Sequence, residues 1–310
     1  FGTSITVNWA ALPASPPDAS SKTAEGYQLQ LSKSADFSAP VSSFTPNVAL
    51  STLTITGLDS ETAYYARVGG LNWNGTPNYV GLGFAVTKDT TPPAAITNLA
   101  AQTAASSTTL SLSWTAPGDN GNTGCVTGGR YRIDYASYTA FAFSTATFQV
   151  DFSTNFCPSA AQSRTLHGLL PNTTYFVRVY ALDEDSNGGL LSNGATAPTL
   201  TTPVVTLAST FIGVFQSSVT AAWGALSASP PDASSKTAEG YRLEASSTNF
   251  GALLPGGVIF SSATTDVRVS TLNVDGLATD VTYYFRVAAL NWNSQAQVTL
   301  LGSTKTVVAV

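Results

Sequence analysis

The chain carries a single histidine, His167 in Arg164-Thr-Leu-His-Gly168, so a nucleophile would find its usual imidazole base at one place only. No Ser/His/Asp or Cys/His set can be assembled around it, and alternation turns Leu166 and Leu169 inward and the ring outward. Zinc-ligand spacing and a glycine-rich phosphate cradle are also lacking, so the sequence predicts no catalytic centre and no cofactor. Oxygen ligands are the next chemistry to weigh. Asp183-Glu-Asp-Ser-Asn187 and Gly118-Asp-Asn-Gly121 offer Asp119, Asp183 and Asp185 as a weak calcium set, against the alternative of turns that are merely solvated.

Two cysteines, Cys125 and Cys157, lie in the middle third. A disulfide between them suits an oxidising compartment and, in the chain-entropy model, closing such a loop stabilises by about 3 to 4 kcal/mol. Two buried free thiols are the alternative. Trp73 and Trp292, each in Leu-Asn-Trp-Asn, follow a strand in which alternation turns them off the core face, where an indole can stack on a sugar or pack on a neighbouring loop. Asn74-Gly-Thr76 and Asn172-Thr-Thr174 match the N-glycosylation acceptor pattern.

These residues sit within a repeat. Ser15-Pro-Pro-Asp-Ala-Ser-Ser-Lys-Thr-Ala-Glu-Gly-Tyr27 recurs unchanged at Ser229 to Tyr241, with Trp9 matching Trp223 upstream and Leu71-Asn-Trp-Asn74 matching Leu290-Asn-Trp-Asn293 downstream. At 43% hydrophobic the chain can build cores, and only 10% of its residues are charged. A net charge of -5 with no Lys/Arg cluster removes the electrostatic footprint of a nucleic-acid binder. Apolar runs such as Phe211 to Phe215 fall far short of the roughly 18 residues a membrane helix needs.

Alternation of period 2 dominates and no apolar period of 3.6 persists, which predicts an all-β chain. Ile5, Val7 and Trp9 begin a first set of strands that ends near Thr87; Asp89-Thr-Thr-Pro-Pro93 breaks the pattern. Leu110, Leu112 and Trp114 belong to a second set, which includes a Phe-rich stretch from Phe141 to Phe152 and closes at Thr201-Thr-Pro203. A third set runs from Val204 to the end.

Each set has a Trp strand, a Tyr-led strand 17 or 18 residues later, and a Leu six residues before a Tyr: Leu58 and Tyr64, Leu169 and Tyr175, Leu277 and Tyr283. Leu169-Leu-Pro-Asn-Thr-Thr-Tyr-Phe-Val-Arg-Val-Tyr-Ala181 resembles the E to F corner of a fibronectin type III domain, and the chain as a whole resembles tandem domains of that family in bacterial-type secreted or surface proteins. The resemblance implies three immunoglobulin-like antiparallel β-sandwiches, at residues 1–89, 90–203 and 204–310. It makes Tyr64, Tyr175 and Tyr283 tyrosine-corner residues, and it places the BC and FG loops at one pole. Trp73 is then expected on Pro16-Pro17 and Trp292 on Pro230-Pro231, with the third domain's pole facing the second and the first domain's pole left open. The acidic stretches at Asp119 and Asp183 share a pole for the same reason.

The third set has a first strand, Val204 to Gly213, before its Trp strand, whereas Phe1-Gly-Thr is level with Phe215-Gln-Ser. The first domain is therefore expected to lack strand A and to expose the edge of Ile5 and Val7. The tail Thr306-Val307-Val308-Ala309-Val310 resembles Pro203-Val-Val-Thr-Leu207 and can donate the missing strand to another copy. The alternative is that the residues belong to a longer tandem array. The sequence thus reads as an extracellular, self-associating structural segment of a filament or surface array. The competing readings are a spacer in a larger secreted glycan-active enzyme or adhesin, and a glycan-binding module using Trp73 and Trp292.

Overall fold

A computed structural model describes residues 1–13, 23–137, 148–228, 237–251 and 258–308. All regular structure among them is antiparallel β. The first pair of sheets contains β1 (Ser4–Asn8), β2 (Tyr27–Ser32), β3 (Val41–Thr45), β4 (Thr52–Thr56), β5 (Ala63–Leu71) and β6 (Pro77–Val86). The second contains β7 (Ala100–Thr103), β8 (Leu110–Thr115), β9 (Val126–Ala136), β10 (Phe148–Phe156), β11 (Ala161–Leu166), β12 (Thr174–Leu182) and β13 (Ala195–Pro198). The third contains β14 (Phe211–Val214), β15 (Ser218–Ala222), β16 (Gly240–Ser246), β17 (Ile259–Thr264), β18 (Thr271–Asp275), β19 (Thr282–Leu290) and β20 (Ala296–Lys305).

Each four-stranded sheet has one order: β3-β2-β5-β6, β10-β9-β12-β13 and β17-β16-β19-β20. The opposing sheets differ. The second and third are three-stranded, β11-β8-β7 and β14-β15-β18, while the first is β1-β4 alone. The strands form because alternate residues are apolar, and burial follows the alternation: Leu110, Leu112 and Trp114 on β8 are buried and Ser111 and Ser113 exposed.

By contacts the chain divides into two compact units, Phe1–Pro92 with Leu182–Asn187, and Pro93–Ala181 with Gly188–Val310. The second and third pairs of sheets share the larger unit. Each pair has its own core, centred on Leu29, Leu31 and Ile55 in the first, on Tyr131, Ile133 and Val177 in the second, and on Trp223, Tyr241 and Phe285 in the third. Cys125 and Cys157 are disulfide-bonded and staple the ends of the β9–β10 hairpin, so the free-thiol alternative falls away. Burial pushes the Tyr131 hydroxyl up to about 12, against a smaller lowering by the Trp114 side chain.

The E to F corner is built the same way three times. The hydroxyls of Tyr64, Tyr175 and Tyr283 accept the N–H of Asp59, Leu170 and Ala278 at 3.1, 2.9 and 3.0 Å. At the end of the last strand Thr87, Thr199 and Thr306 close the corner. Each hydroxyl accepts the N–H of Thr62, Thr173 or Val281 and donates to the carbonyl of Asp59, Leu170 or Ala278 at 2.6 to 2.7 Å. The residue that turns the corner is left-handed in all three: Glu61, Asn172 and Asp280.

Candidate functional site

The repeated stretch explains itself at its described end. Tyr27 and Tyr241 each pin the BC loop from below: the hydroxyl accepts the N–H of Leu12 or Leu226 and donates to the carbonyl of Val48 or Val267 at 3.0 Å. Thr23 and Thr237 donate their hydroxyls to the carbonyls of Pro13 and Ser227. Gly26 and Gly240 have φ of 140° and 142°, and a Cβ there would lie 2.0 Å from the carbonyl oxygen of Thr45 or Thr264. Only glycine fits. The residues Pro16, Pro17, Pro230 and Pro231 lie outside the described residues, so the expected proline packing of Trp73 and Trp292 does too.

The FG turns also match. Asn72 Oδ1 accepts the N–H groups of Asn74 and Thr76, and Asn291 Oδ1 those of Asn293 and Gln295. What surrounds the two poles differs. In the third sandwich the Trp292 indole donates to the Asn172 carbonyl of the preceding E to F corner at 2.9 Å. Asn172 in turn gives its side-chain N–H to Glu239 at 3.2 Å, and Asn291 gives its own to the Thr199 carbonyl at 3.1 Å. Asn291, Asn172 and Thr199 are all buried. The acceptor pattern at Asn172 is therefore shut inside this junction, whereas Asn74 is exposed.

In the first sandwich the same Glu25, Asn72 and Trp73 border an open cleft of about 680 Å³, together with Trp9, Ala10, Leu12, Val68, Val80 and Leu82. Trp73 is 70% exposed against 44% for Trp292. The cleft runs from this pole down the side of the sandwich to β6.

Sheet register identifies what fills the same volume in the third sandwich. Val80 pairs with Val68 as Thr299 pairs with Val287, and Gly83 and Gly302 occupy the same bulge with positive φ, which makes Leu82 the counterpart of Leu301. Leu301 is buried and Leu82 is 41% exposed. Trp223 is fully buried, while its counterpart Trp9 is half-buried. The covering segment in the third sandwich is the chain that enters it. Val204 is part of the core, Val205 bridges to Gly224, the Thr299 hydroxyl reaches the Val204 carbonyl at 3.5 Å, and Phe211 on β14 meets Phe285 edge-on at 5.2 Å. Ile5 and Val7 sit on β1, whose outer edge pairs with no strand among the described residues.

The cleft was not legible in the sequence. Its lining comes from Trp9, Leu12 and the outer half of β6, which read separately as ordinary core positions. Of the tail, Val307 gives its N–H to Phe215 of its own sandwich at 3.1 Å, as Lys88 does to Phe1, and Val308 is exposed. Ala309 and Val310 lie outside the described residues.

Two of the acidic candidates accept hydrogen bonds within their own unit. In the first unit the Asp183 carboxylate accepts the backbone and side-chain N–H groups of Asn187 at 2.7 and 2.9 Å, which is a turn held by its own aspartate. Asp185 accepts the N–H of Asp89 at 3.0 Å and pairs with Lys88 at 3.2 Å. Asp119 is buried in the other unit. His167 is exposed beside the buried Leu166 and Leu169.

Residues 94–197, the second sandwich, match the family model of the fibronectin type III domain. No curated protein matches the chain. Among solved structures it is similar to the FN1–FN3 domains of chicken CNTN1, at 13% identity and a TM-score of 0.35 over 98% of this chain and 95% of that one.

Proposed function

We propose that the chain is a structural segment of an extracellular filament or surface array, built by stacking fibronectin type III-like modules pole to corner. The three modules are residues 1–89, 90–203 and 204–310. The observation that carries this is the Trp292–Asn172–Glu239 contact around the buried Asn172, in which the FG pole of one module closes on the E to F corner of the module before it. A disulfide and low charge suit an oxidising setting outside the cell. The same pole is repeated residue for residue in the first module, so the junction has a second receiving face.

Head-to-tail assembly then brings the end of one chain to the first module of the next, with the donated residues beginning at Val308, because the Val307 N–H is used by its own module. Negative-stain images of the purified chain should show fibres that deletion of residues 306–310 shortens or abolishes. Monomeric rods in both proteins would instead favour the spacer role within a larger secreted protein. Glycan-array binding that Trp73→Ala abolishes would favour the sugar-binding use.

A further inference from the structure

The E to F corner of the first module differs from the other two in its charge. Aligned on the corner threonines Thr87, Thr199 and Thr306, the left-handed residue is Glu61, Asn172 or Asp280, and the residue two past the threonine is Asp89, Thr201 or Val308. Two carboxylates therefore belong to the first corner, none to the second and one to the third. The Thr87 hydroxyl accepts the Thr62 N–H at 2.9 Å and donates to the Asp59 carbonyl at 2.6 Å, which ties the end of β6 to the turn that carries Glu61. Glu61 and Asp89 then place carboxylate oxygens within 4.8 Å of each other.

Asp89 adds a second, independent observation. The residue is only 7% exposed; its Oδ1 accepts the Thr91 N–H at 2.9 Å, whereas Oδ2 is buried and has no hydrogen-bond partner. No lysine or arginine pairs with Asp89 among the described residues, because the adjacent Lys88 is turned to Asp185 at 3.2 Å. Its backbone is fixed within the same unit. The Asp89 N–H donates to Asp185 Oδ2 at 3.0 Å, and the Asp89 carbonyl accepts the Asn187 side-chain N–H at 3.1 Å. A buried carboxylate oxygen that meets no donor and lies near a second carboxylate is costly unless a cation joins the two.

We propose that Glu61 and Asp89 are ligands of a calcium ion at the first module's E to F corner. Both donors are hard carboxylate oxygens, which suit calcium or magnesium rather than zinc. Asp89 Oδ2 is buried, so the ion must shed water to reach it, and calcium does so more readily than magnesium. Two protein carboxylates leave the rest of the shell to water and carbonyls, which sets the affinity at about 0.1 to 1 mM, the range of extracellular calcium modules. The site is a property of one corner and stands whether or not the modules stack into filaments.

The test uses the full chain stripped with EDTA and then dialysed to equilibrium against calcium chloride. One saturable site should appear in that range, and the thermal unfolding midpoint read by circular dichroism should rise with calcium. Asp89→Asn keeps the side-chain shape and should weaken binding by about tenfold or more, as expected for loss of a charged ligand. Glu61→Gln, at an exposed side chain where folding is not at stake, should weaken it likewise. Asp280→Asn at the third corner should leave calcium binding unchanged. Absence of a saturable site, undiminished binding in Asp89→Asn or Glu61→Gln, or an equal loss in Asp280→Asn overturns the proposal. Magnesium binding as tight as calcium binding overturns the choice of ion.

Discussion

The first and third sandwiches are near copies that have reached different degrees of closure. Both place a Trp at the end of the B strand, a Tyr under the BC loop, an Asn-Trp turn at the pole and a Gly bulge in the last strand. The third sandwich buries Trp223 and Leu301, whereas the first leaves Trp9 and Leu82 partly in solvent. The repeated residues therefore fix local geometry, and the covering segment decides how much of it becomes core. A hydrophobic residue contributes only as much as the neighbours that exclude water from it.

The largest test of this contrast is the tryptophan pair. Trp223→Ala should cost about 3–5 kcal/mol, as for a fully buried aromatic, and Trp9→Ala clearly less, read from denaturant midpoints of the full chain. Equal costs would break the comparison. Leu301→Ala should cost about 2–3 kcal/mol and Leu82→Ala under about 1 kcal/mol by the same measurement, because the removed side chain is covered in one and not in the other.

A control should erase the contrast. Gly26→Ala and Gly240→Ala meet the same carbonyl clash, so each should destabilise by about 1–3 kcal/mol and to a similar extent. A modest effect belongs to the junction. Asn172→Asp replaces an N–H that Glu239 accepts with a second carboxylate, and should loosen the second and third modules by roughly 1 kcal/mol at low salt. Salt should diminish the loss, and faster oxidation of Trp292 would report it.

Most of the fold was legible in the residues. Period-2 alternation gave the Trp strands and the Tyr-led strands because these have one face on a core and one in water. The edge strands β3, β11 and β17 escaped notice. Their burial is shallow, as in Val41-Ser-Ser-Phe-Thr45, where only the last residue is buried, so no strong apolar face marks them. The expected strand through Phe141 begins, among the described residues, at Phe148. Which donors the acidic loops meet was not legible either: Asp183 and Asp185 accept from backbone and side-chain groups of their own unit. The tryptophans of the two poles were legible as a pair, but the carbonyl that Trp292 meets was not.

By itself the sequence determined the strand pattern, the repeat and the corner residues, because each is a matter of local spacing along one chain. Only the tertiary structure decided that Cys125 and Cys157 join, that Asn172 is the acceptor for Trp292, and that Trp9, Val80 and Leu82 converge on one cleft. Those facts depend on strands distant in sequence being brought to one surface. No periodicity within a strand records what lies across from it.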